Sequence, residues 1–298
     1  MNLGRRSSKP SQHAVWVFLA PFALLTLVFV AYPLIQSAVL AMQQTYGPGT
    51  KTFVGTRNFT DAAADPVFWT ALRNTIIYTL GSLFIQLPLA LALALALNSP
   101  RLRGRSGYRL IFFSPQLMGL VFVSILAALM FEKQAGLINQ SLHTLTGGLW
   151  SLDFPWLESH VMATLILISL WMYVGFNMIY FLAALQNVDH ALIEASAIDG
   201  ANSWHRFRHV VLPAIRPVGT FVVMLSMIGS LQLFELPFVL LEGTGGPRNQ
   251  GLTVVMYLYQ SGFEVGDLGY ASAIGWVLAL LLMSLACVQM WMIRREGR

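Results

Sequence analysis

Six histidines, one cysteine and a glutamate inside an apolar run are the groups of this sequence whose chemistry needs testing first. His13, His143, His160, His190, His205 and His209 would each need a second metal ligand or a nucleophile nearby to act as ligand or base. No HExxH occurs, as zinc-dependent hydrolysis would require, and no apolar stretch holds a serine together with a histidine able to deprotonate it. Cys287 has no second cysteine, which removes disulfides and CxxC metal or redox motifs and leaves it as a small packing residue. No GxxxxGK[ST] loop is present to cradle phosphates, so any ATP is bound by another chain. Two features remain. Glu235 is an ionisable group in an apolar run, with Gln232 one helical turn before it. The polar stretch from Asp189 to Pro213 is the other.

The elements that must position these groups are set by composition. The 298 residues are 56% hydrophobic and 10% charged, with mean hydropathy +0.64, against roughly 25% charge in soluble domains. One soluble core of this length could not hide so much apolar surface, which also excludes disorder, a coiled coil and a secreted scaffold. The expectation is an all-α transmembrane fold. Charge-poor runs of the length a helix needs to cross a bilayer occur at about 14–42, 74–98, 110–131, 160–186, 213–241 and 268–293. Six spans place both termini on one side. Thirteen of the 18 lysines and arginines fall in the N-terminus (Arg5, Arg6, Lys9), the 101–109 turn (Arg101, Arg103, Arg105, Arg109), the 187–212 loop (Arg206, Arg208) with Arg216, and the C-terminus (Arg294, Arg295, Arg298). Basic residues stay cytoplasmic in short loops, so residues 1–13 and 294–298 read as cytoplasmic and 14–293 as one six-span domain. The charge of +5 and the pI near 9.6 thus report topology, and no nucleic-acid partner is expected. Residues 1–13 begin like a signal peptide, but the apolar run behind them is about twice a 7–15-residue h-region. Pro33 and Pro88 fall inside spans and read as kinks.

The 187–212 loop is more ordered than a connector needs to be. It reads as two short helices, the first capped by Asp189 and ended by Gly200, the second capped by Asn202 or Ser203, with Pro213 in the first turn of the next span. Trp204, Phe207 and Val211 share one face of the second helix, and Arg206, Arg208 and His209 point elsewhere. Two readings fit: an amphipathic segment lying on the membrane surface, or a docking element for a soluble partner.

The loop resembles the cytoplasmic "EAA" loop of the inner-membrane permeases of binding-protein-dependent ABC importers. The matching residues are Glu194, Ala195, Ser196, Asp199, Gly200 and Ala201, then Phe207, Leu212, Pro213 and Pro217. Further matches are Tyr32-Pro33-Leu34, Phe53-Val54-Gly55 with Asn58-Phe59, and Arg73-Asn74-Thr75. They continue through Gly104-Arg105 with Arg109, Phe112-Phe113-Ser114-Pro115, and Gly245-Gly246-Pro247. Within the family the chain is most similar to the carbohydrate, maltose-permease-like subunits, and Ser196 stands where a second alanine is commoner.

The resemblance implies the six-helix type I importer permease fold, with 187–212 as the coupling loop. Glu194, Ala195, Ser196, Asp199, Gly200, Trp204 and Phe207 would then couple to a dimeric cytoplasmic ATPase, which holds ATP and Mg²⁺ while this chain holds no cofactor. The remaining implied partners are a second homologous permease, an extracytoplasmic sugar-binding protein docking at Gly245, Gly246 and Pro247, and the lipid bilayer. Sugar contacts carry over to Ser169, Met172, Tyr173, Phe176, Leu231, Gln232 and Glu235. Hydroxyls suit carboxylates and amides, and pyranose faces suit aromatic rings. For Glu235 the alternative is an interhelical partner, for Tyr173 and Phe176 ordinary packing; the family's amide at the position of Glu235 argues against an identical sugar. The rival classes are an ion-coupled secondary transporter or channel acting as a homo-oligomer, for which Glu235 would be the coupling group, and an ABC permease for amino acids or phosphate.

Overall fold

The structure, a computed structural model, describes residues 12–45, 51–99 and 102–296, with side chains from Val17 to Met292. Arg5, Arg6, Lys9, Arg101, Arg298 and the side chains of Arg294 and Arg295, on which part of the orientation argument rests, lie outside the described residues. The sequence offers no reason to divide the chain, yet it forms two compact units. One comprises residues up to Ala62 with Ser261–Val277, the other Ala63–Gln260 with Leu278 onward.

In the first unit, α1 (Val17–Leu40) is apolar on most of its surface and none of its residues is buried within the chain, as suits a helix facing lipid or another protein. A two-residue antiparallel pair follows, β1 (Gln43–Gln44) with β2 (Thr52–Phe53), registered Gln43 to Phe53. Helix α2 (Arg57–Ala64) places Asn58 so that its amide donates to Ala41 O and Gln43 O, both at 2.9 Å. Gly269 lies so close to the Gln43 carbonyl that a Cβ has no room there, and its N–H donates to Thr45 Oγ1 at 2.8 Å.

The second unit is built on α3 (Pro66–Asn98), the bent pair α4 (Arg105–Leu117) and α5 (Leu120–Met130), α6 (Leu137–Leu145) and α7 (Trp156–Ser159). These are followed by α8 (Val161–Gln186), α9 (His190–Ile198), α10 (residues 203–231), α11 (Glu235–Leu240) and α12 (Val254–Tyr259). Helix α13 (Leu268–Glu296) ends the described chain. One apolar cluster packs Leu87, Ala90 and Ala94 of α3 against Met178, Phe181 and Leu185 of α8 and Ile215 and Val222 of α10. Another joins Tyr78, Val123, Leu165, Ile168, Met172, Leu236 and Leu240. At Gly175 a Cβ would run into the Phe112 carbonyl, so glycine is what lets α8 approach α4.

Proline placement explains most departures from straight helices. Pro33, Pro88 and Pro213 each stand two residues past a π-turn: Leu27–Ala31, Ser82–Gln86 and Phe207–Val211. A proline inside an α-helix has no N–H for the carbonyl four residues back and collides with it. Widening the turn by one residue moves that carbonyl aside; Tyr32 and Leu212 accordingly donate five residues back, to Leu27 O and Phe207 O. Pro33 and Pro88 are therefore passed without a break.

Three expectations need correction. The helix does not begin anew at Pro213 but runs unbroken from Ser203, so the second helix of the 187–212 loop and the helix that follows it are one. The run 213–241 is not one helix: it breaks at 232–234, four residues ahead of Pro237, which has no N–H for Leu233 O. Thr253 Oγ1 donates to that carbonyl instead, at 2.7 Å. The 110–131 run is two helices bent by 97°, because Pro115 tightens the end of α4 and Met118 and Gly119 are extended. Among the described residues, five helices are long and apolar enough to cross a membrane, six if the bent pair counts as one span.

Candidate functional site

A cavity of about 160 Å³ lies among α3, α8 and α10. Tyr173 and Phe176 contribute rings, Asn177, Ser226 and Ser230 polar groups, and Tyr78, Ser82 and Gln86 a third wall from α3. Phe176 is fixed edge-on to Tyr180, with centroids 5.0 Å apart. The Tyr173 hydroxyl is within electrostatic reach of Tyr78 and Glu235. Asn177 is buried, and among the described residues its side chain takes part in one hydrogen bond, a long one of 3.5 Å from Ser226 Oγ. Most of its amide capacity therefore faces the cavity. Rings on one side and amides and hydroxyls on the others suit a ligand with apolar faces and a hydroxylated edge.

Of the seven residues proposed from sequence as substrate contacts, Tyr173 and Phe176 line this cavity. Ser169 is buried behind it, donating to Leu165 O at 2.6 Å and paired with the Tyr78 hydroxyl at 2.5 Å. Met172 and Leu231 are buried among apolar neighbours. Gln232 and Glu235 are exposed on either side of the helix break, which ends the periodicity that would have put them on one face. Tyr78, Ser82, Gln86, Asn177, Ser226 and Ser230 escape the sequence argument. Their signal was present all the same, as polar residues recurring at helical spacing inside apolar spans.

At the 187–212 loop, Asp189 Oδ1 accepts from Ala191 N and Asn202 Oδ1 from His205 N, each at 2.8 Å, which fixes the starts of α9 and α10. Gly200, at φ +80°, reverses the chain while Ala201 N donates to Ser196 O at 3.0 Å. Glu194, Ala195 and Asp199 are exposed, Ser196 is half-buried, and Trp204 stacks obliquely on half-buried Phe207 with centroids 5.8 Å apart. Ile198 is 87% exposed and Trp204 63%, so each helix of the loop presents a large apolar side chain on its surface.

Residues 86–297 match the family described as "Binding-protein-dependent transport system inner membrane component". The lactose transport system permease protein LacF of Rhizobium radiobacter is 39% identical over 94% of both chains. The arabinooligosaccharides transport system permease protein AraP of Bacillus subtilis (strain 168) is 38% identical over 93% of this chain and 87% of its own. The chain belongs to this permease family. It is a multi-pass inner-membrane component of a binding-protein-dependent transport system. Its fold matches a chain in the crystal structure of a bacterial alginate ABC transporter in complex with alginate pentasaccharide-bound periplasmic protein, with TM-score 0.81 at 22% identity over 96% of both chains.

The Gly245-Gly246-Pro247 segment of this permease is a rigid turn. Gly245 and Gly246 take φ +77° and +73°, and Arg248 and Asn249 are also left-handed. Asn74 of α3 donates to Asn249 O at 2.7 Å and Leu252 O at 3.0 Å, and Thr75 Oγ1 accepts from Val254 N at 3.0 Å. Adjacent Asn74 and Thr75 thus stitch the turn to α3.

Proposed function

We propose that this chain is the membrane-spanning permease subunit of an ATP-driven importer of mono- or oligosaccharides. It crosses the membrane six times with both termini cytoplasmic, the α4–α5 pair making the third crossing. It pairs with a second homologous permease and a dimeric cytoplasmic ATPase that holds ATP and Mg²⁺, and receives sugar from an extracytoplasmic binding protein at the Gly245–Pro247 turn. The observation that carries this reading is the cavity itself, whose two rings face amides and hydroxyls between membrane helices; relatives named for lactose and arabinooligosaccharides support it. Glu194 and the exposed apolar groups around it serve as the ATPase contact. A homo-oligomeric ion-coupled transporter would leave that capped, exposed loop without a task.

The test is purification of the tagged chain from its native membrane in mild detergent, then reconstitution with whatever accompanies it. A second multi-pass chain and an ATPase are expected, along with ATP-dependent uptake of lactose or arabino-oligosaccharide. Glu194→Lys should abolish transport-linked ATP hydrolysis. A chain that arrives alone, or full coupling in Glu194→Lys, refutes the reading.

A further inference from the structure

One buried polar side chain of α3 faces the cavity with no protein partner: the Gln86 amide, 5% exposed, makes no hydrogen bond to another described residue. Ser82, one turn before it on the same wall, has the Tyr78 hydroxyl as its one partner within reach. Buried polar groups are nearly always paired, so a primary amide left open in a cavity calls for a hydrogen-bonding occupant. Ser82 and Gln86 are the first and last residues of the π-turn that Pro88 imposes on α3. π-turns inside helices recur at functional sites because they re-aim side chains.

A primary amide offers an acceptor oxygen and two donor hydrogens side by side. That set matches two adjacent hydroxyls, one donating to Gln86 Oε1 and its neighbour accepting from Gln86 Nε2. Across the cavity, the Tyr173 and Phe176 rings offer the apolar surface on which the flat face of such a ring rests.

We propose that the α3 π-turn is the specificity wall of this permease, with Gln86 reading a vicinal diol on a sugar ring and Ser82 taking a third hydroxyl contact. The proposal rests on the importer reading above and adds to it the configuration that is read.

The test uses the reconstituted importer, with lactose, arabinobiose and mono-deoxygenated forms of each as probes. A site built to bond a hydroxyl discriminates against an analogue that lacks it. The wild type should take up a probe lacking one of two adjacent hydroxyls about 2- to 13-fold more slowly than its parent, the worth of one hydrogen bond. In Gln86→Leu that discrimination should vanish, the parent sugar being carried no faster than its deoxy form, while the purified complex assembles with the same subunits as the wild type. Ser82→Ala, which removes a single oxygen, should lose discrimination at a different hydroxyl. If both variants discriminate as the wild type does, the wall is not where specificity resides and the proposal fails while the importer stands. If the wild type takes up none of the probes, the importer reading fails and this one with it.

Discussion

Asn74 offers the sharpest test of how the Gly245–Pro247 turn is held. Its buried amide is the donor to two carbonyls, Asn249 O at 2.7 Å and Leu252 O at 3.0 Å, at and just after the end of a turn that already carries left-handed Arg248 and Asn249. Truncation in Asn74→Ala leaves both carbonyls without that donor in an enclosed place, at about 1–3 kcal/mol for each such group. Water reaching the loosened turn recovers part of this, so the net loss is about 2–4 kcal/mol, or roughly a 30- to 1,000-fold rise in the open population. Because α3 and α8 keep their apolar packing, that loss should fall on the turn and not on the bundle. Hydrogen exchange at residues 245–254 should accelerate accordingly in the purified complex, with amides of α8 unchanged, and stimulation of ATPase by the binding protein should drop. Asn74→Asp separates shape from hydrogen bonding, since it keeps the outline but sets a carboxylate against two carbonyls, and it should open the turn at least as far. Unchanged exchange at 245–254 in both variants would refute the reasoning.

Gly175→Ala should lower the thermal midpoint of the complex by several degrees, because a Cβ meets Phe112 O and forcing α8 from α4 costs about 1–3 kcal/mol; an unaltered midpoint would show that the approach is not tight. Pro213→Ala lets the π-turn at Phe207–Val211 relax to α-geometry, rotating the coupling segment by about 100° against the span. Assembly should survive while ATP hydrolysis uncouples from uptake, and normal sugar carried per ATP would count against this. Glu132 accepts from the backbone of Gln134 and Ala135, which holds its carboxyl below the ordinary value of 4.5. The ionised form is the one favoured by the folded turn, so the stabilisation is complete above the ordinary value and is lost as pH falls through the lowered one. After correction for the intrinsic pH dependence of exchange, the amide protection of Ala135 should drop across that acid window and stay flat in Glu132→Gln.

What sequence could reveal divides along physical lines. The membrane class and the apolar runs were legible because hydrocarbon tolerates few charges over about 20 residues, and the caps at Asp189, Gly200 and Asn202 because they are local chemistry. The break at 232–234 has a local cause as well, Pro237, but it needed Thr253 from a distant segment to take up Leu233 O, and that pairing has no sequence signature. The 97° bend between α4 and α5 was hidden for a related reason, since Pro115 and Gly119 permit a bend without fixing its size. Placing the substrate contacts by offset from flanking motifs selected two cavity residues on α8. On α10 a break within the counted interval shifts the register, and the α3 wall of the cavity lies outside the intervals that were counted.

The continuity of α10 gives these pieces a mechanical relation. From the Asn202 cap to Ser230 at the cavity wall the helix runs about 42 Å without interruption. A displacement of the loop around Glu194 therefore reaches Ser226 and Ser230 through a single rod. The π-turn at Phe207–Val211 alters the hydrogen-bond register of that rod, and Pro217 just beyond it removes one further ladder bond, so the rod bends at least cost over this stretch. The α3 wall bears a π-turn of its own, at Ser82–Gln86. In both helices the proline that forces the turn is what removes the ordinary α-helical alternative. In the importer proposed above, motion delivered by the ATPase is taken up at two joints, one beside the 187–212 loop and one in the cavity wall, between which α8, packed against α3 and α10, holds Tyr173, Phe176 and Asn177.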